Sequence, residues 1–283
     1  MRNSRLRHIP GRLWRLVSLA GHRLLLVDDD GTLAPFRADR QSAQPLPRSL
    51  ALLRRIAQSP HTTVVVTSGR PVNEMQERLC ALGVTLVGEN GWEVLDADGT
   101  LTRMPVPRAA SETLAQAAME AVRRGWDDLL ELKRASLRLH TRGIAPALAE
   151  AIEEECRALW HEMLGDAPVR LERLDGGLEL RARGRDKGRV ALEQLELCPP
   201  GTMAVALGDD DADECAFEAL GDFGFGVRVG DPDAPSLAHG RLDDPSDVIE
   251  FLQMWLRATG PVQVRTEHPM LPGYAPEFGA ALG

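Results

Sequence analysis

Two short acidic segments of this chain could together bind a divalent cation. The first, residues 28–30, consists of three aspartates between an apolar run and a Gly-Thr turn, and the second, residues 209–214, also follows an apolar run. Neighbouring carboxylates repel one another, and a hard cation with oxygen ligands, such as Mg²⁺, relieves that repulsion. If the two apolar runs are neighbouring strands, the carboxylates form one metal site, whereas each turn alone could equally be a solvated acidic turn.

Lysine is rare in this chain, and arginine carries most of the positive charge. Only Lys133 and Lys187 are lysines among the 33 basic residues. A compact ammonium and a planar guanidinium do not substitute for one another, so a retained lysine can indicate a site that needs the ammonium. Retention by chance is the alternative for either residue.

The composition indicates a globular protein and argues against several functions. The chain has 283 residues, of which 43% are hydrophobic and 27% charged, and its formal net charge is −9. That charge argues against a general nucleic-acid binder, which normally has a basic face. No apolar run approaches the roughly 18 residues of a membrane-spanning helix, so no membrane partner is expected. The cysteines are scattered without metal-ligand spacing, which indicates buried thiols and a cytoplasmic location: Cys80, Cys156, Cys198 and Cys215.

The elements that position these residues alternate between strand and helix, which predicts an α/β fold with a doubly wound parallel sheet. Strands are predicted at residues 23–28, 62–67, 84–88, 203–207 and 226–229, and helices at residues 47–59, 72–82 and 247–256. The pair Asp98-Gly99 between two short strand-like segments predicts a hairpin. Both acidic segments therefore lie at the carboxyl ends of strands, where ligands bind in such sheets.

A segment of different character interrupts this alternation. Helices predicted at residues 109–124 and 146–160 and strands predicted at residues 129–133, 136–141, 169–174 and 177–181 form an α-β-β-α-β-β run. The sequence therefore predicts a core domain (residues 21–105 and 183–258) with an inserted α+β cap domain (residues 106–182). A basic N-terminal extension (residues 1–20) and an irregular C-terminal tail (residues 259–283) flank them. A cap suits an enzyme that closes over its substrate and excludes water.

Four short motifs fall at strand ends or at a helix start. They are Asp28-x-Asp30-Gly-Thr, Ser68-Gly-Arg70, Asp186-Lys187-Gly and Gly208-Asp209-Asp-x-x-Asp213. In this order, and with an inserted cap, they resemble the haloacid dehalogenase (HAD) superfamily of aspartate-based phosphotransferases. The resemblance implies a HAD-like core in which Asp28 is the nucleophile and forms an aspartyl-phosphate. It also implies that Asp30 protonates the leaving oxygen and later activates water, that Ser68 binds the phosphoryl group, and that Lys187 balances its charge.

The same resemblance implies a magnesium site. Its ligands would be the Asp28 carboxylate, the Asp30 backbone carbonyl and Asp209, with Asp213 as a direct ligand or a support. Asp29 is expected to point away from this site, because side chains alternate along a strand. An acidic helix N-terminus that stabilises the helix dipole is the alternative for residues 209–214, and both can hold together.

The predicted cap resembles that of the trehalose-6-phosphate phosphatases within this superfamily. The similarity lies in residues 131–142 (Glu-Leu-Lys-x-x-Ser-x-x-x-His-x-Arg), in residues 177–181 (Gly-Leu-Glu-Leu-Arg) and in the turn 88–91. It implies a set of substrate-binding residues: Arg70, Asn90, Glu131, Lys133, His140, Arg142 and Glu179. Ordinary cross-strand charge pairing on a solvated sheet face is the alternative. Ala182 and Ala212 depart from the proline and threonine usual in that family.

These features predict a Mg²⁺-dependent phosphatase that hydrolyses trehalose 6-phosphate, a small sugar phosphate, and that pairs functionally with a trehalose-6-phosphate synthase. The same chemistry on another glycosyl phosphate, such as sucrose 6-phosphate or mannosyl-3-phosphoglycerate, is the first alternative. A catalytically silent regulatory domain is the second. It predicts the loss of a catalytic residue such as Asp28 or Lys187, and both are present.

Overall fold

The computed structural model describes residue 6 and residues 8–35, 42–79, 82–174 and 176–260. Predictions from the sequence for the other residues, which include Cys80 and the tail beyond residue 260, lie outside the described part of the chain. The described residues form a large sheet with helices on both faces and a smaller sheet inserted after its fifth strand.

An eight-stranded sheet forms the core and confirms the predicted α/β class. Its strands are β1 (Arg23–Asp28), β2 (Thr62–Thr67), β3 (Thr85–Gly88), β4 (Glu93–Leu95), β5 (Leu101–Arg103), β10 (Met203–Gly208), β11 (Gly224–Val229) and β12 (Gly240–Leu242). They lie in the order β12-β11-β10-β1-β2-β3-β4-β5. The strands from β12 to β3 are parallel, whereas the β4–β5 hairpin is antiparallel. The order reverses between β1 and β10, because the chain builds the sheet outward from this centre in both directions.

Helices cover both faces of the core sheet, so the sheet is doubly wound as predicted. They are α1 (Gly11–Leu19), α2 (Pro47–Ala57), α3 (Val72–Leu79), α6 (Lys187–Glu196), α7 (Asp211–Leu220) and α8 (Pro245–Thr259). In β1, Leu25 and Val27 pack with α1, α2, α3 and α8. Leu24 and Leu26 pack with α6 and α7 on the other face. The continuous apolar run of β1 therefore follows from the need to cover both faces of a parallel sheet.

Part of the predicted N-terminal extension takes part in the packing of the core. Residues 11–19 form α1, in which Leu13 and Val17 are fully buried. The ring of Trp14 lies 4.9 Å from the ring of Phe251 in α8. The segment is basic on its outer side, but its apolar residues recur at the spacing of a helix that covers a sheet.

A four-stranded sheet forms the cap between β5 and α6. Its elements are α4 (Arg108–Arg123), β6 (Leu130–Leu132), β7 (Ser136–His140), α5 (Pro146–Leu164), β8 (Val169–Leu174) and β9 (Gly177–Ala182). The strands are antiparallel in the order β6-β7-β9-β8. Leu137, Leu139 and Leu180 pack with apolar residues of α4 and α5 on one face of this sheet. The charged residues Arg138, Glu179 and Arg181 alternate with these leucines and lie on the opposite face of the sheet, toward the core.

None of the helices in the described ranges combines the length and the apolar character that crossing a membrane requires. The described cysteines are free thiols; Cys156 is buried, and Cys198 and Cys215 are half-buried. Burial raises the pKa of Cys156 to about 12, so this thiol stays protonated at neutral pH.

Candidate active site

The reversal of strand order between β1 and β10 creates a crevice at the carboxyl ends of these two strands. A crevice at such a reversal is the usual ligand site of open α/β sheets. The two strands pair in parallel with Val27 opposite Leu207. Asp28 and Asp209 therefore emerge side by side, and the two acidic segments of the sequence meet at one place.

Asp28, Asp209 and Asp213 form one acidic cluster. One carboxylate oxygen from each residue lies within 4.8 Å of the other two. Lys187, the first residue of α6, donates from Nζ to Asp28 Oδ1 at 2.6 Å and to Asp213 Oδ1 at 2.8 Å. The side chains of Lys187, Asp28 and Asp213 are each at most 5% exposed. A single ammonium does not neutralise three ionised carboxylates, so the cluster needs protons or a further cation to balance its charge.

The start of α7 places Asp213 in this cluster. Asp210 caps the helix by accepting hydrogen bonds from the backbone amides of Ala212 and Asp213. In return, Asp213 Oδ2 accepts from the amides of Asp209 at 3.2 Å and Asp210 at 3.3 Å. The acidic segment is thus both a helix cap and part of the charged cluster, and the two interpretations from the sequence are compatible.

The electrostatics of the cluster favour binding of a cation. Burial raises the pKa of Asp213 to about 7 against the opposing effect of Lys187. Burial and repulsion from neighbouring acids also raise the pKa of Asp28 and of Asp209 well above the usual range. Burial alone would lower the pKa of Lys187, but Asp213 and Asp28 outweigh it and raise that pKa. Carboxyls with raised pKa values hold protons, which a divalent cation can displace.

The residues present fit a Mg²⁺ ion. Every donor is an oxygen atom, and Asp28 Oδ2 is buried without a hydrogen-bond partner among the described residues. Gly31 has φ +84°, and a Cβ at this position would lie 1.9 Å from Asp209 Oδ2. A Cβ at Gly208 would lie 2.0 Å from Asp213 Cγ. Glycine at both positions therefore allows the backbone to approach the two carboxylates that complete the site.

Two arginines hold Asp30 at the edge of the cluster. Arg70 donates from Nε and Nη2 to the two carboxylate oxygens of Asp30 at 2.6 and 2.8 Å. Arg78 Nη2 adds a contact to Asp30 Oδ1 at 3.2 Å. The side chain of Arg70 is 3% exposed, and Arg70 is not among the described residues that line the cavity above the cluster. The structure therefore places this predicted substrate-binding residue on Asp30.

Ser68 lines the cavity above the cluster, whereas Asp29 is not among the described residues that line it. Ser68 follows β2 and lines the cavity, and its Oγ accepts a hydrogen bond from the backbone amide of Arg70 at 3.1 Å. Asp29 is fully buried and accepts from Arg78 Nε at 3.0 Å. Burial raises the pKa of Asp29, and the hydrogen bond from Arg78 opposes this shift. Asp29 thus has its own counter-charge and does not belong to the metal cluster.

A cavity of about 870 Å³ separates the acidic cluster from the charged face of the cap. Four predicted substrate-binding residues line it: Asn90, Lys133, Arg142 and Glu179. Asp28, Asp30, Ser68 and Lys187 lie on its core side. The volume falls within the range of roughly 300–1,000 Å³ that is common for small-molecule sites.

Two other predicted substrate-binding residues, Glu131 and His140, contact each other on the cap. His140 Nε2 lies 2.9 Å from Glu131 Oε2. Glu131 Oε1 is also 3.5 Å from Lys133 Nζ. Neither Glu131 nor His140 is among the described residues that line the cavity. Lys133 is therefore the one of these three side chains that lines the cavity, and the contact between Glu131 and His140 is a charge pairing between neighbouring strands, the alternative that the sequence left open.

Sequence reasoning assigned no role to several charged residues of the cavity wall: Arg138, Arg170, Glu172, Arg181 and Arg228. The signal for Arg138 was available, because alternation along β7 places it on the same face as His140. The register of β8 with β9 sets Glu172 opposite Glu179 and Arg170 opposite Arg181. That register has no signature in the sequence.

Comparison with known proteins assigns the chain to a family. A family model described as trehalose-phosphatase matches residues 26–246. The chain belongs to the trehalose-phosphatase family. It is 33% identical over 227 residues to a bifunctional trehalose-6-phosphate synthase/phosphatase of Thermoproteus tenax, covering 80% of this chain and 30% of that protein. It is 32% identical over 254 residues to a trehalose-phosphate phosphatase of Mycolicibacterium paratuberculosis, covering 83% of this chain and 62% of that protein. The chain thus spans less than two thirds of either relative.

Solved structures share the fold of this trehalose-phosphatase family member. A trehalose-6-phosphate phosphatase of Aspergillus fumigatus superposes with a TM-score of 0.63 at 26% identity, covering 88% of this chain and 97% of that chain. The C-terminal domain of a trehalose-6-phosphate phosphatase of C. albicans superposes with a TM-score of 0.74 at 23% identity, covering 86% of this chain and 95% of that chain. At the latter identity the likeness concerns the fold alone.

Proposed function

We propose that this chain is a Mg²⁺-dependent phosphatase that hydrolyses trehalose 6-phosphate through an aspartyl-phosphate on Asp28. The observation that carries the proposal is the position of Asp28. Its Oδ1 accepts from Lys187 at 2.6 Å, and its buried Oδ2 has no partner among the described residues. Asp28 also lines the cavity beneath the charged face of the cap. A carboxylate held at one oxygen and unpartnered at the other suits a nucleophile.

The geometry supports two displacement steps. In the first, the Asp28 carboxylate attacks phosphorus, the bond from phosphorus to the sugar oxygen breaks, and Asp30 gives its proton to that oxygen. This step requires Arg70 to release one Asp30 oxygen, which then carries the proton. In the second, Asp30 takes a proton from water, the water oxygen attacks phosphorus, and the bond to Asp28 breaks. Ser68 and Lys187 bind and neutralise the phosphoryl oxygens. A Mg²⁺ ion bound by Asp28, Asp209 and Asp213, with the Asp30 carbonyl, would supply charge neutralisation at the same oxygens.

The cap face suits a polyhydroxylated leaving group. Register places Glu131 opposite Arg138 and Arg138 opposite Glu179. Acceptor-only carboxylates therefore flank a donor-only guanidinium group across β6, β7 and β9, and a sugar hydroxyl both donates and accepts. Glu179 and Arg138 line a cavity that is large enough for a disaccharide phosphate.

Two alternatives remain distinct from this proposal. Another glycosyl phosphate would use the same aspartate chemistry with a different fit to the cap. A silent regulatory domain is disfavoured, because Asp28, Asp30, Lys187 and Asp209 are present and meet at one site. A relative named as a bifunctional synthase/phosphatase supports functional pairing of this chain with a trehalose-6-phosphate synthase. The cytoplasmic location stays a prediction from the sequence.

Phosphate release with Mg²⁺ from trehalose 6-phosphate, sucrose 6-phosphate and glucose 6-phosphate at equal concentration tests the proposal. A strong preference for trehalose 6-phosphate is the expected result. Equal rates on all three substrates would retain the aspartate chemistry and overturn the substrate. Asp28→Asn should remove turnover while thermal unfolding stays cooperative, and turnover at the wild-type rate would overturn the mechanism.

A further inference from the structure

Glu89 lies in the loop between β3 and β4, beside the loop that follows β2. Its backbone amide donates to the carbonyl of Arg70 at 2.8 Å, and the amide of Asn90 donates to the carbonyl of Ser68 at 3.0 Å. Residues 89 and 90 are therefore fixed to both ends of the loop 68–70, which presents the phosphoryl-binding hydroxyl. The side chain of Asn90 also lies close to Gly69.

The backbone of this loop is strained. Glu89 has φ 48° and Asn90 has φ 54°, and in the described residues these are the only residues other than glycine with positive φ. A left-handed conformation of this kind persists only when surrounding contacts enforce it, and it recurs at functional sites. Glutamate has no local hydrogen bond that favours this conformation, unlike asparagine. The backbone hydrogen bonds of residues 89 and 90 to the loop 68–70 hold this conformation, which leaves the Glu89 side chain free to contact the cap.

The Glu89 side chain points to the cap, and the residue is only 6% exposed. Its Oε2 accepts from the backbone amide of Ala135 at 3.3 Å, in the turn that joins β6 to β7. Burial and the neighbouring Glu93 raise the pKa of Glu89, while the amides of residues 134 and 135 and the charge of Lys133 oppose that shift. The Glu89 carboxylate therefore accepts a hydrogen bond from a turn of the cap, and this contact between core and cap is buried.

The same turn carries Lys133, which reaches back to the core. Lys133 Nζ donates to the carbonyl of Gly69 at 2.9 Å, and its side chain is 4% exposed. One turn of the cap is therefore attached at two points, to Glu89 and to the residue that follows Ser68. Lys133 also lines the cavity.

We propose that Glu89 is a positioning residue that fixes the cap turn 133–135 against the phosphoryl-binding loop, so that Lys133 and the sugar-facing side of the cap are aligned with the reacting phosphate. This inference rests on the proposed function for the identity of the sugar phosphate. Glu89 itself is not among the described residues that line the cavity, so it acts through Lys133 and the cap turn. A substrate that contacts the cap depends on this alignment, whereas a small aryl phosphate has no sugar for the cap to hold.

Two variants separate the contact from the backbone strain. Glu89→Ala removes the acceptor, Glu89→Gln keeps an oxygen that can accept from the Ala135 amide, and both retain a Cβ at the strained position. Glu93→Ala is the matched control, because its buried carboxylate accepts from Val72 and Arg103, which both belong to the core. Steady-state kinetics on trehalose 6-phosphate and p-nitrophenyl phosphate, together with hydrogen exchange of the Ala135 amide, are the measurements.

Glu89→Ala should raise KM for trehalose 6-phosphate by about 10- to 100-fold, the usual effect of losing a hydrogen bond to a charged acceptor. It should leave kcat/KM for p-nitrophenyl phosphate unchanged and should speed exchange of the Ala135 amide. Glu89→Gln should restore both properties toward the wild type, and Glu93→Ala should not alter Ala135 exchange. An equal loss on both substrates, or unchanged exchange in Glu89→Ala, would overturn the inference. A wild-type protein inactive on trehalose 6-phosphate would count against the proposed function alone, because the exchange measurement needs no substrate.

Discussion

Replacing Lys187 with methionine tests the charge arrangement of the active site most directly. Methionine fills much of the space of lysine and removes the ammonium. In the wild type this ammonium lies 2.6 Å from Asp28 Oδ1 and 2.8 Å from Asp213 Oδ1, and both carboxylates are at most 5% exposed. Removing one partner from a buried ion pair costs about 3–5 kcal/mol in the free energy of unfolding. The contact to Asp210 is 3.8 Å long and that side chain is 58% exposed, so it adds little.

This loss of stability should grow as the pH rises. Burial raises the pKa of Asp213 to about 7 in the wild type, and the loss of Lys187 raises it further. The same carboxyl ionises at a lower pH in the unfolded chain than in the folded protein. The free energy of unfolding therefore falls as the pH rises toward the pKa of the folded state. Between about pH 7 and about pH 8.5 Asp213 is ionised in the folded wild type but stays protonated in the folded variant. Over this range the variant therefore loses about 2 kcal/mol more in the free energy of unfolding than the wild type does.

Urea unfolding of both proteins at two pH values, with a chelator and with millimolar Mg²⁺, measures the penalty. Without a divalent cation, the free energy of unfolding of Lys187→Met should be about 3–5 kcal/mol below that of the wild type at about pH 8.5. At about pH 6 this difference should be about 2 kcal/mol smaller. Mg²⁺ should reduce the penalty, because it supplies positive charge to the same carboxylates. A penalty below about 1 kcal/mol, or one that is identical at both pH values, would refute the reasoning.

Two further predictions concern the same cluster. Without divalent cations, the wild type should lose stability between about pH 4 and about pH 7, because Asp213 ionises near its ordinary pKa in the unfolded chain but only at about 7 in the folded state, and Asp213→Asn should flatten this dependence in thermal unfolding. Gly31→Ala should weaken Mg²⁺ binding by about 10- to 100-fold in calorimetric titrations, because the new Cβ would lie 1.9 Å from Asp209 Oδ2. The control Gly83→Ala shares a positive φ of +69° but meets no atom of the described residues within 4 Å, so equal losses in both variants would contradict this steric explanation.

Local patterns in the sequence were sufficient to predict the core. The strands predicted at residues 23–28 and 62–67 have the same bounds as β1 and β2. Their apolar runs are unbroken and end in turn residues, so hydrophobicity and turn chemistry indicate the same boundaries. Helix ends were less accurate; for example, α8 runs over Pro245–Thr259 rather than residues 247–256. Its N-terminal proline and preceding aspartate are the start signals that define this end.

Contacts between residues far apart in the chain were not predictable in the same way. Arg70 was predicted to bind substrate, and the structure shows that it also donates to Asp30, a contact that no local pattern in the sequence indicates. The contact of Glu89 with Ala135 depends on how the cap sits on the core, which neither segment specifies alone. Charged residues of the cap, such as Arg181, were found only through the register of four strands. Motifs therefore predicted which residues meet at the strand ends, and the outer contacts of the site required the tertiary structure.

The insertion of the cap between the two halves of the core also sets an order of folding. Val27 pairs with Leu207 at the centre of the sheet, so β1 has no neighbour on one side until the ribosome has made the whole cap and β10. Lys187 precedes β10 in the chain, and the ammonium is therefore available before the strand that encloses Asp28. Pairing over so long a separation slows folding. As a result, the nascent chain does not bury the Asp28 carboxylate before its counter-charge, Lys187, has been synthesised.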